Sequence, residues 1–328
     1  MKKVDIFLAM ETIRGLRKIQ PPLRGVTLTI GNFDGVHLGH RALIAECLNA
    51  SHYSSSASVV LTFDPHPLEI LQPQGDFLRI FPKSDLKEQL ALLGVSYLVV
   101  EPFSEELARM DPEVFWKNRV QAFLEPREVV VGYDFGFGAG RAGNLDFLRS
   151  LSVKYGFDLS VAPPFRHKGD IVSSTLIRKL IGLGKVGEVR EFLGRCFEIS
   201  GTVIKGRQLG RYLGFPTANM RSPGTLLPSY GVYLTQISLS DGRSLPSITN
   251  LGEAPTVGGK ESGPRIETHI LENFSGELYN QKVTVSFYEF SRPERKFSDI
   301  EALKTQMRMD VEGAKLFWEG QQNKFGLK

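Results

Sequence analysis

Between residues 26 and 183 the chain alternates short, unbroken apolar runs with longer stretches in which apolar residues recur every three or four positions. The unbroken runs fall at 26–30, 58–63, 97–100, 128–131 and 158–161. A run with no polar residue at every second position suits a strand buried on both faces. The periodic stretches lie near 39–51, 85–93, 112–122 and 145–155 and predict helices. Ser84 is placed to cap the second of these and Gly94 to end it. Strands alternating with helices predict an α/β doubly wound parallel sheet with its ligand at the carboxyl ends of the strands. Gly182, Gly184 and Gly187 then punctuate the chain, a short helix follows at 189–193, and the period changes. Runs at 197–204, 231–238, 247–251, 265–271 and 282–288 are separated by glycine, proline and asparagine turns. In one of them Ile266, Thr268 and Ile270 alternate with Glu267, His269 and Leu271. Closely spaced segments of period two predict a small antiparallel β-barrel. A C-terminal helix closes the chain, with Ile300, Leu303, Met307, Val311, Ala314 and Phe317 on the face toward the barrel. Ser298 and Glu301 form its expected capping box. The two domains are expected to be 1–184 and 185–328.

Composition narrows the possibilities. A length of 328 residues exceeds what one compact core usually holds, in keeping with two domains. The net charge of +4 is spread without a dense Lys/Arg block, so a nucleic-acid partner is not expected. Cys47 and Cys196, the only cysteines, lack framework spacing and suit a reducing cytoplasm. Lys2 and Lys3 precede an apolar run at 6–10, but Asp5 and Glu11 bracket it and leave it too short for a secretory signal. No stretch nears the ~20 apolar residues of a membrane span, so a cytoplasmic protein with no membrane partner is expected. Protein partners cannot be read from these features.

Chemistry concentrates first in residues 28–44, L-T-I-G-N-F-D-G-V-H-L-G-H-R-A-L-I. A strand ends at Ile30, Gly31 and Gly35 permit a sharp exit, and a helix starts near residues 38–40. Such a junction aims backbone N–H groups at the crevice and favours phosphate. His37 and His40, three apart, bring two imidazoles to the same mouth. The ordinary alternative is that one histidine caps or packs while the other is solvated. Zinc fails for want of partner ligands, since neither cysteine belongs to a C-x-x-C pair. What remains is a donor pair able to stabilise charge on a phosphoryl oxygen during in-line displacement. The string G-N-F-D-G-V-H-L-G-H resembles the adenylyltransferase half of bacterial bifunctional riboflavin kinase/FAD synthetases, with the H-x-G-H signature of the nucleotidyltransferase superfamily.

Three later stretches are expected at that mouth. Thr62-Phe63-Asp64-Pro65-His66-Pro67 ends the second strand with two prolines; it lines the nucleotide site or is a rigid loop with His66 in water. Residues 131–143 set five glycines among aromatic rings directly after a strand, which lets backbone approach a flat ligand. They resemble the family's flavin-binding G-Y-D-F-x-F-G segment, which implies Gly132, Asp134 and Phe137 as flavin contacts, Asp134 being the polar anchor. Gly136 departs from the basic or larger residue often found there. Ser173-Ser174-Thr175-Leu176-Ile177-Arg178 opens a helix either as an ordinary cap or as an anion cradle. S-S-T-x-I-R resembles the second superfamily signature. It implies that Ser174, Thr175 and Arg178, with Gly31, Phe33, Asp34 and Gly35, hold ATP.

In the second half, residues 201–219 combine Gly201, Gly206, Gly210 and Gly214 with Lys205, Arg207 and Arg211 without forming a Walker loop. The stretch wraps phosphates or is a hairpin with solvated cations. Thr217 and Asn219 add a hydroxyl and an amide carbonyl, hard oxygens that magnesium accepts beside substrate phosphates. Glu267, alone among apolar strand residues, is either a base or a strand carboxylate paired with Arg265. G-F-P-T-A-N resembles the hallmark of riboflavin kinases. The resemblance implies Gly201, Gly206, Gly210, Thr217 and Asn219 as the ATP site, Thr217 and Asn219 as Mg2+ ligands, and Glu267 as the base. Asn250-Leu251-Gly252, Pro255-Thr256 and Ser291-Arg292-Pro293-Glu294 resemble flavin-site segments, which implies that Arg292 binds flavin. The resemblance covers nearly the whole chain and implies two ATP-dependent steps. Riboflavin is phosphorylated to FMN in the C-terminal half, and FMN is adenylylated to FAD, with release of pyrophosphate, in the N-terminal half.

Overall fold

The computed structural model describes residues 10–74, 77–206, 209–221, 224–253, 263–274 and 276–325. The chain forms two compact units, Met1–Ser174 and Thr175–Lys328. The helix Ser174–Gly182 is followed directly by the helix Val186–Leu193, which packs on strands of the second unit.

In the first unit β1 (Glu11–Arg14), β2 (Thr27–Ile30), β3 (Ser58–Asp64), β4 (Tyr97–Pro102), β5 (Glu128–Gly132) and β6 (Asp158–Ala162) form one sheet in the order β1-β4-β3-β2-β5-β6. Every neighbouring pair is parallel. The unbroken apolar runs follow from cover on both faces. Val59 and Leu61 of β3 enter one core with Leu28, Val129 and Trp116, while Val60 enters the other with Phe33, Val36 and Ile44. From β2 the chain proceeds to β3 on one side, and β5 later returns to pair on the other. The carboxyl ends of β2 and β5 therefore frame a topological switch point, where such sheets bind ligands. The topology alone puts the H-x-G-H stretch beside the glycine–aromatic stretch. β1 is additional to expectation; its four residues at the sheet edge are too few to display a period.

Some local expectations are corrected. The helix Lys83–Leu93 starts after Pro82, so Ser84 lies inside its first turn, while Gly94 ends it at φ 86 as expected. The segment expected as one helix over 112–122 is α-helical at Pro112–Phe115 and Ala122–Leu124. Between them Trp116–Gln121 winds as a wider π-helix, with the buried Trp116 stacked on Phe157 at 4.8 Å.

A short hairpin, β7 (Arg166–His167) and β8 (Asp170–Ile171), precedes the second unit. There β9 (Phe197–Ile204), β10 (Thr217–Arg221), β11 (Gly231–Ser238), β12 (Ser244–Glu253), β13 (Pro264–Ile270) and β14 (Lys282–Pro293) close a barrel in the order β10-β13-β12-β11-β14-β9. All its pairs are antiparallel. β10 is additional to expectation because its residues read as a phosphate loop. The barrel holds a buried hydroxyl chain: Thr235 meets Ser247 and Thr249 at 2.8 Å each, and Thr249 meets Thr268 at 2.9 Å. The helix Ile300–Phe325 lies on the barrel, with Val311, Ala314 and Phe317 against Val232, Leu234 and Ile248. Ile300 is exposed and takes no part in that face. Asp299 caps the helix in place of the expected Ser298 box. Its carboxylate accepts the Ala302 N–H at 2.8 Å and the Ser298 hydroxyl at 2.9 Å.

Candidate functional sites

Beyond β2 the backbone turns through Phe33 at φ 46 and Val36 at φ 39. Left-handed backbone is costly for such residues, above all for a β-branched one, and marks a turn held by its surroundings. Both side chains are buried and supply that hold. The turn delivers His37 as the N-cap of the helix Leu38–Tyr53, its Nδ1 accepting the backbone N–H of His40 at 3.1 Å. With Nδ1 as acceptor, the neutral ring carries its proton on Nε2. The two imidazoles stack with centroids 3.6 Å apart, and His40 meets the Phe33 ring edge-on at 5.3 Å. Gly39 makes this possible: a Cβ there would stand 3.2 Å from the His37 ring and 3.1 Å from the Val172 carbonyl oxygen. His37 is 5% exposed, seated on polar backbone and on its partner ring rather than in hydrocarbon. His37 thus caps with one ring nitrogen, and its other carries an N–H donor.

Other residues expected at this mouth also make structural contacts. The Asp34 carboxylate accepts the Ile80 N–H with both oxygens at 3.2 Å, and its carbonyl accepts the Ser174 hydroxyl at 3.0 Å. Asp34 therefore ties the turn to two distant segments. Gly31 lies against the Phe33 ring and Gly35 against Ile80, and Phe33 itself is core. Thr175 and Arg178 fall in the opening turns of the helix Ser174–Gly182, counted with the second unit. His66 is not in water: it is buried, caps the helix Pro67–Leu71 by accepting the Leu68 N–H at 3.1 Å, and stacks on Phe77 at 4.3 Å.

At the end of β5, Asp134 is exposed, with one carboxylate oxygen 3.3 Å from where a Gly132 Cβ would stand. Phe137 packs in the core among Phe115, Trp116, Phe135 and Phe147. Tyr133 is the aromatic ring this segment leaves exposed. The Arg141 guanidinium donates to the Asp134 carbonyl at 2.6 Å and covers Gly136, where a Cβ would meet its Nε at 3.1 Å. A cation thus stands over the position at which the sequence omits one.

In the second unit a cavity of about 360 Å³ is lined by residues of the barrel wall and of the helix Ile300–Phe325. Thr217, Asn219, Asn250, Glu267, His269, Arg292 and Asp310 all line it. Strand register assembles the set: Asn219 stands opposite Glu267, Glu267 opposite Asn250, and Thr217 opposite His269. Directly opposed residues project from the same face of a sheet, with Cβ atoms about 5 Å apart. The Asn219 amide donates to the Thr217 carbonyl at 3.2 Å and to its hydroxyl at 3.1 Å, and the buried Asn219 Oδ1 has no hydrogen-bond partner among the described residues. A Cβ at Gly206 would stand 2.5 Å from that amide, so a side chain there has no room. An orphaned carbonyl oxygen beside a hydroxyl is the donor set a hard cation needs, and these residues fit magnesium. Glu267 does pair with Arg265, at 3.7 Å, and both line the cavity.

Gly210 abuts the Phe215 carbonyl and lines the cavity, whereas Gly201 sits on β9 beside the Met220 sulphur, away from the lining. Arg292 lines the cavity and is also a tether. Its Nε and Nη2 bond the two oxygens of Asp310 at 2.9 and 2.6 Å, and Nη1 bonds the Pro293 carbonyl at 3.0 Å. It joins β14 to the C-terminal helix. Arg207, Gln208, Pro255, Thr256 and the run at 6–9 lie outside the described residues. Sequence reasoning missed His269, whose Nδ1 lies 2.8 Å from the Pro216 carbonyl oxygen. Burial pushes its imidazole below the ordinary value; the Pro216 bond opposes this and Lys315 adds to it. The signal was its place two residues beyond Glu267, on the same strand face.

Residues 19–176 match the FAD synthetase family and residues 193–318 the riboflavin kinase family. The bifunctional riboflavin kinase/FMN adenylyltransferase of Pseudomonas fluorescens is 36% identical, over 93% of this chain and 97% of that protein. Its counterpart in Escherichia coli K12 is 33% identical over 94% and 98%. A crystal structure described as a macrolide-efflux protein from Streptococcus pneumoniae superposes with a TM-score of 0.84 at 27% identity, covering 93% of this chain and 99% of that one. Among the described residues no helix is long and apolar enough to cross a membrane. Both family spans are present and the relatives match almost end to end, so the chain belongs to the family of bifunctional riboflavin kinases/FAD synthetases.

Proposed function

We propose that residues 185–328 phosphorylate riboflavin to FMN at the barrel cavity, and that residues 1–184 adenylylate FMN to FAD at the crevice between β2 and β5, each step using ATP. In the barrel, Glu267 takes the proton of the terminal ribityl hydroxyl as its oxygen attacks the γ-phosphorus, and ADP leaves. Thr217 and Asn219 hold magnesium, which when bound offsets the charge of the ATP phosphates. Gly206 and Gly210 give the surrounding backbone its close approach. In the crevice, an oxygen of the FMN phosphate attacks the α-phosphorus of a second ATP and pyrophosphate leaves. His37, through Nε2–H, and His40 stabilise the charge that builds on the α-phosphate oxygens. Gly132 and Asp134 bind the flavin. Neither step needs a covalent enzyme intermediate, because positioning and electrostatics suffice. The unpaired thiols of Cys47 and Cys196 support a cytoplasmic setting.

The observation that carries this reading is the register placing Asn219 opposite Glu267 in a single cavity. Incubation with riboflavin, ATP and magnesium, followed by chromatography of the flavins, tests it. FMN and then FAD are expected; unreacted riboflavin, or FMN that never becomes FAD, contradicts it.

A further inference from the structure

The cavity of the second unit contains a side chain that the proposed chemistry does not use. His269 is the residue directly across from Thr217, and it shares a strand face with Glu267, two residues before it. Its ring lies 2.8 Å, through Nδ1, from the carbonyl oxygen of Pro216 and meets the Phe215 ring edge-on at 5.7 Å. A carbonyl only accepts, so Nδ1 carries the proton and donates. The tautomer is fixed by its partner.

The bond matters because of where it falls. Among the described residues β10 pairs with β9 through two residue pairs, Asn219 with Ile204 and Met220 with Val203. Its other neighbour, β13, therefore supplies most of its support. Proline enters β10 immediately before Thr217 and brings no N–H of its own. The His269 side chain reaches across to the one polar backbone group that Pro216 does bring. Thr217 itself stays in the ladder opposite His269; without the side-chain bond, the Phe215–Pro216 lead into that strand loses its tie to β13.

We propose that His269 is a positioning residue for phosphoryl transfer: its Nδ1–H holds the Pro216 carbonyl and thereby steadies the end of β10 that presents Thr217 to the cavity beside Asn219 and Glu267. The proposal rests on the assignment of riboflavin kinase chemistry to this cavity. It assigns His269 no proton transfer to substrate.

Three substitutions separate the bond from the bulk of the ring. In His269→Asn the amide nitrogen stands where Nδ1 stood and keeps the bond; His269→Gln places its amide beyond it, and His269→Ala has no donor. Riboflavin kinase kinetics are measured for each variant in the full chain with magnesium ATP varied; KM for riboflavin is the control for a folded barrel, and FAD formation from supplied FMN is the control for the other unit. His269→Gln and His269→Ala are expected to raise KM for magnesium ATP by about tenfold, the scale of one lost hydrogen bond, while His269→Asn stays within about threefold of the parent. FAD formation and KM for riboflavin are unchanged in all three. Equal impairment of the Asn and Gln variants, or parental kinetics in all three, overturns the proposal. A parent chain that makes no FMN overturns the kinase assignment itself, and so the two failures are distinguishable.

Discussion

The Nδ1 of His37 accepts the backbone N–H of His40 at 3.1 Å, so the first histidine of the pair caps the helix that carries the second. Capping and catalysis then separate by substitution. Asparagine is among the best N-caps, whereas alanine costs about 1 kcal/mol at such a site. His37→Asn should fold with nearly the stability of the parent yet lose about 100-fold or more in FAD formation, the scale of removing one preorganised donor. His37→Ala should lose both. Thermal unfolding and flavin chromatography on the two variants check this, and full FAD synthesis by His37→Asn would reduce His37 to a cap.

Gly206→Ala drives a methyl group into the Asn219 amide, 2.5 Å away. The amide must swing off the Thr217 hydroxyl and carbonyl that it bonds. Riboflavin kinase activity should fall by about tenfold or more through KM for magnesium ATP, with FAD formation from FMN unaffected. An unaltered KM would mean that Asn219 Oδ1 is not a ligand.

Titration of His269 is expected below the ordinary 6.5, because burial disfavours its cationic form. The folded chain then binds fewer protons than the unfolded one between the two values. The resulting stabilisation is complete above about 6.5 and is lost as pH falls through the folded-state value. NMR of the imidazole C–H signals, assigned with His269→Asn, measures it; a value at or above 6.5 contradicts the packing described.

Arg292 and Asp310 form a bidentate pair at 2.9 and 2.6 Å, with both side chains largely buried. Asp310→Ala strands the guanidinium and should destabilise the second unit by about 2–3 kcal/mol, read from chemical unfolding. A variant of unchanged stability but weakened flavin binding would show that the pair serves the flavin site rather than the tether.

The sheet and barrel were legible from period alone, because β2, β3 and β5 are buried on both faces while β13 alternates. β1 and β10 were not, the first being four residues long and the second hidden inside a stretch that reads as a phosphate loop. Thr217, Asn219 and Glu267 were legible as residue types, and the register then brought them into one cavity. The core packing of Phe33 and Phe137 was not legible, because a ring between glycines looks the same in sequence whether it faces a ligand or the core. Histidine as a helix cap left no sequence signal to separate it from a solvated ring, and His37 and His66 both play that part.

Glu267→Gln offers the sharpest test of two independent sites on one chain. Given riboflavin, ATP and magnesium, the variant should form no FMN; given FMN and ATP, it should form FAD at the parent rate. FMN formed at the parent rate, or FAD lost together with FMN, would contradict the account.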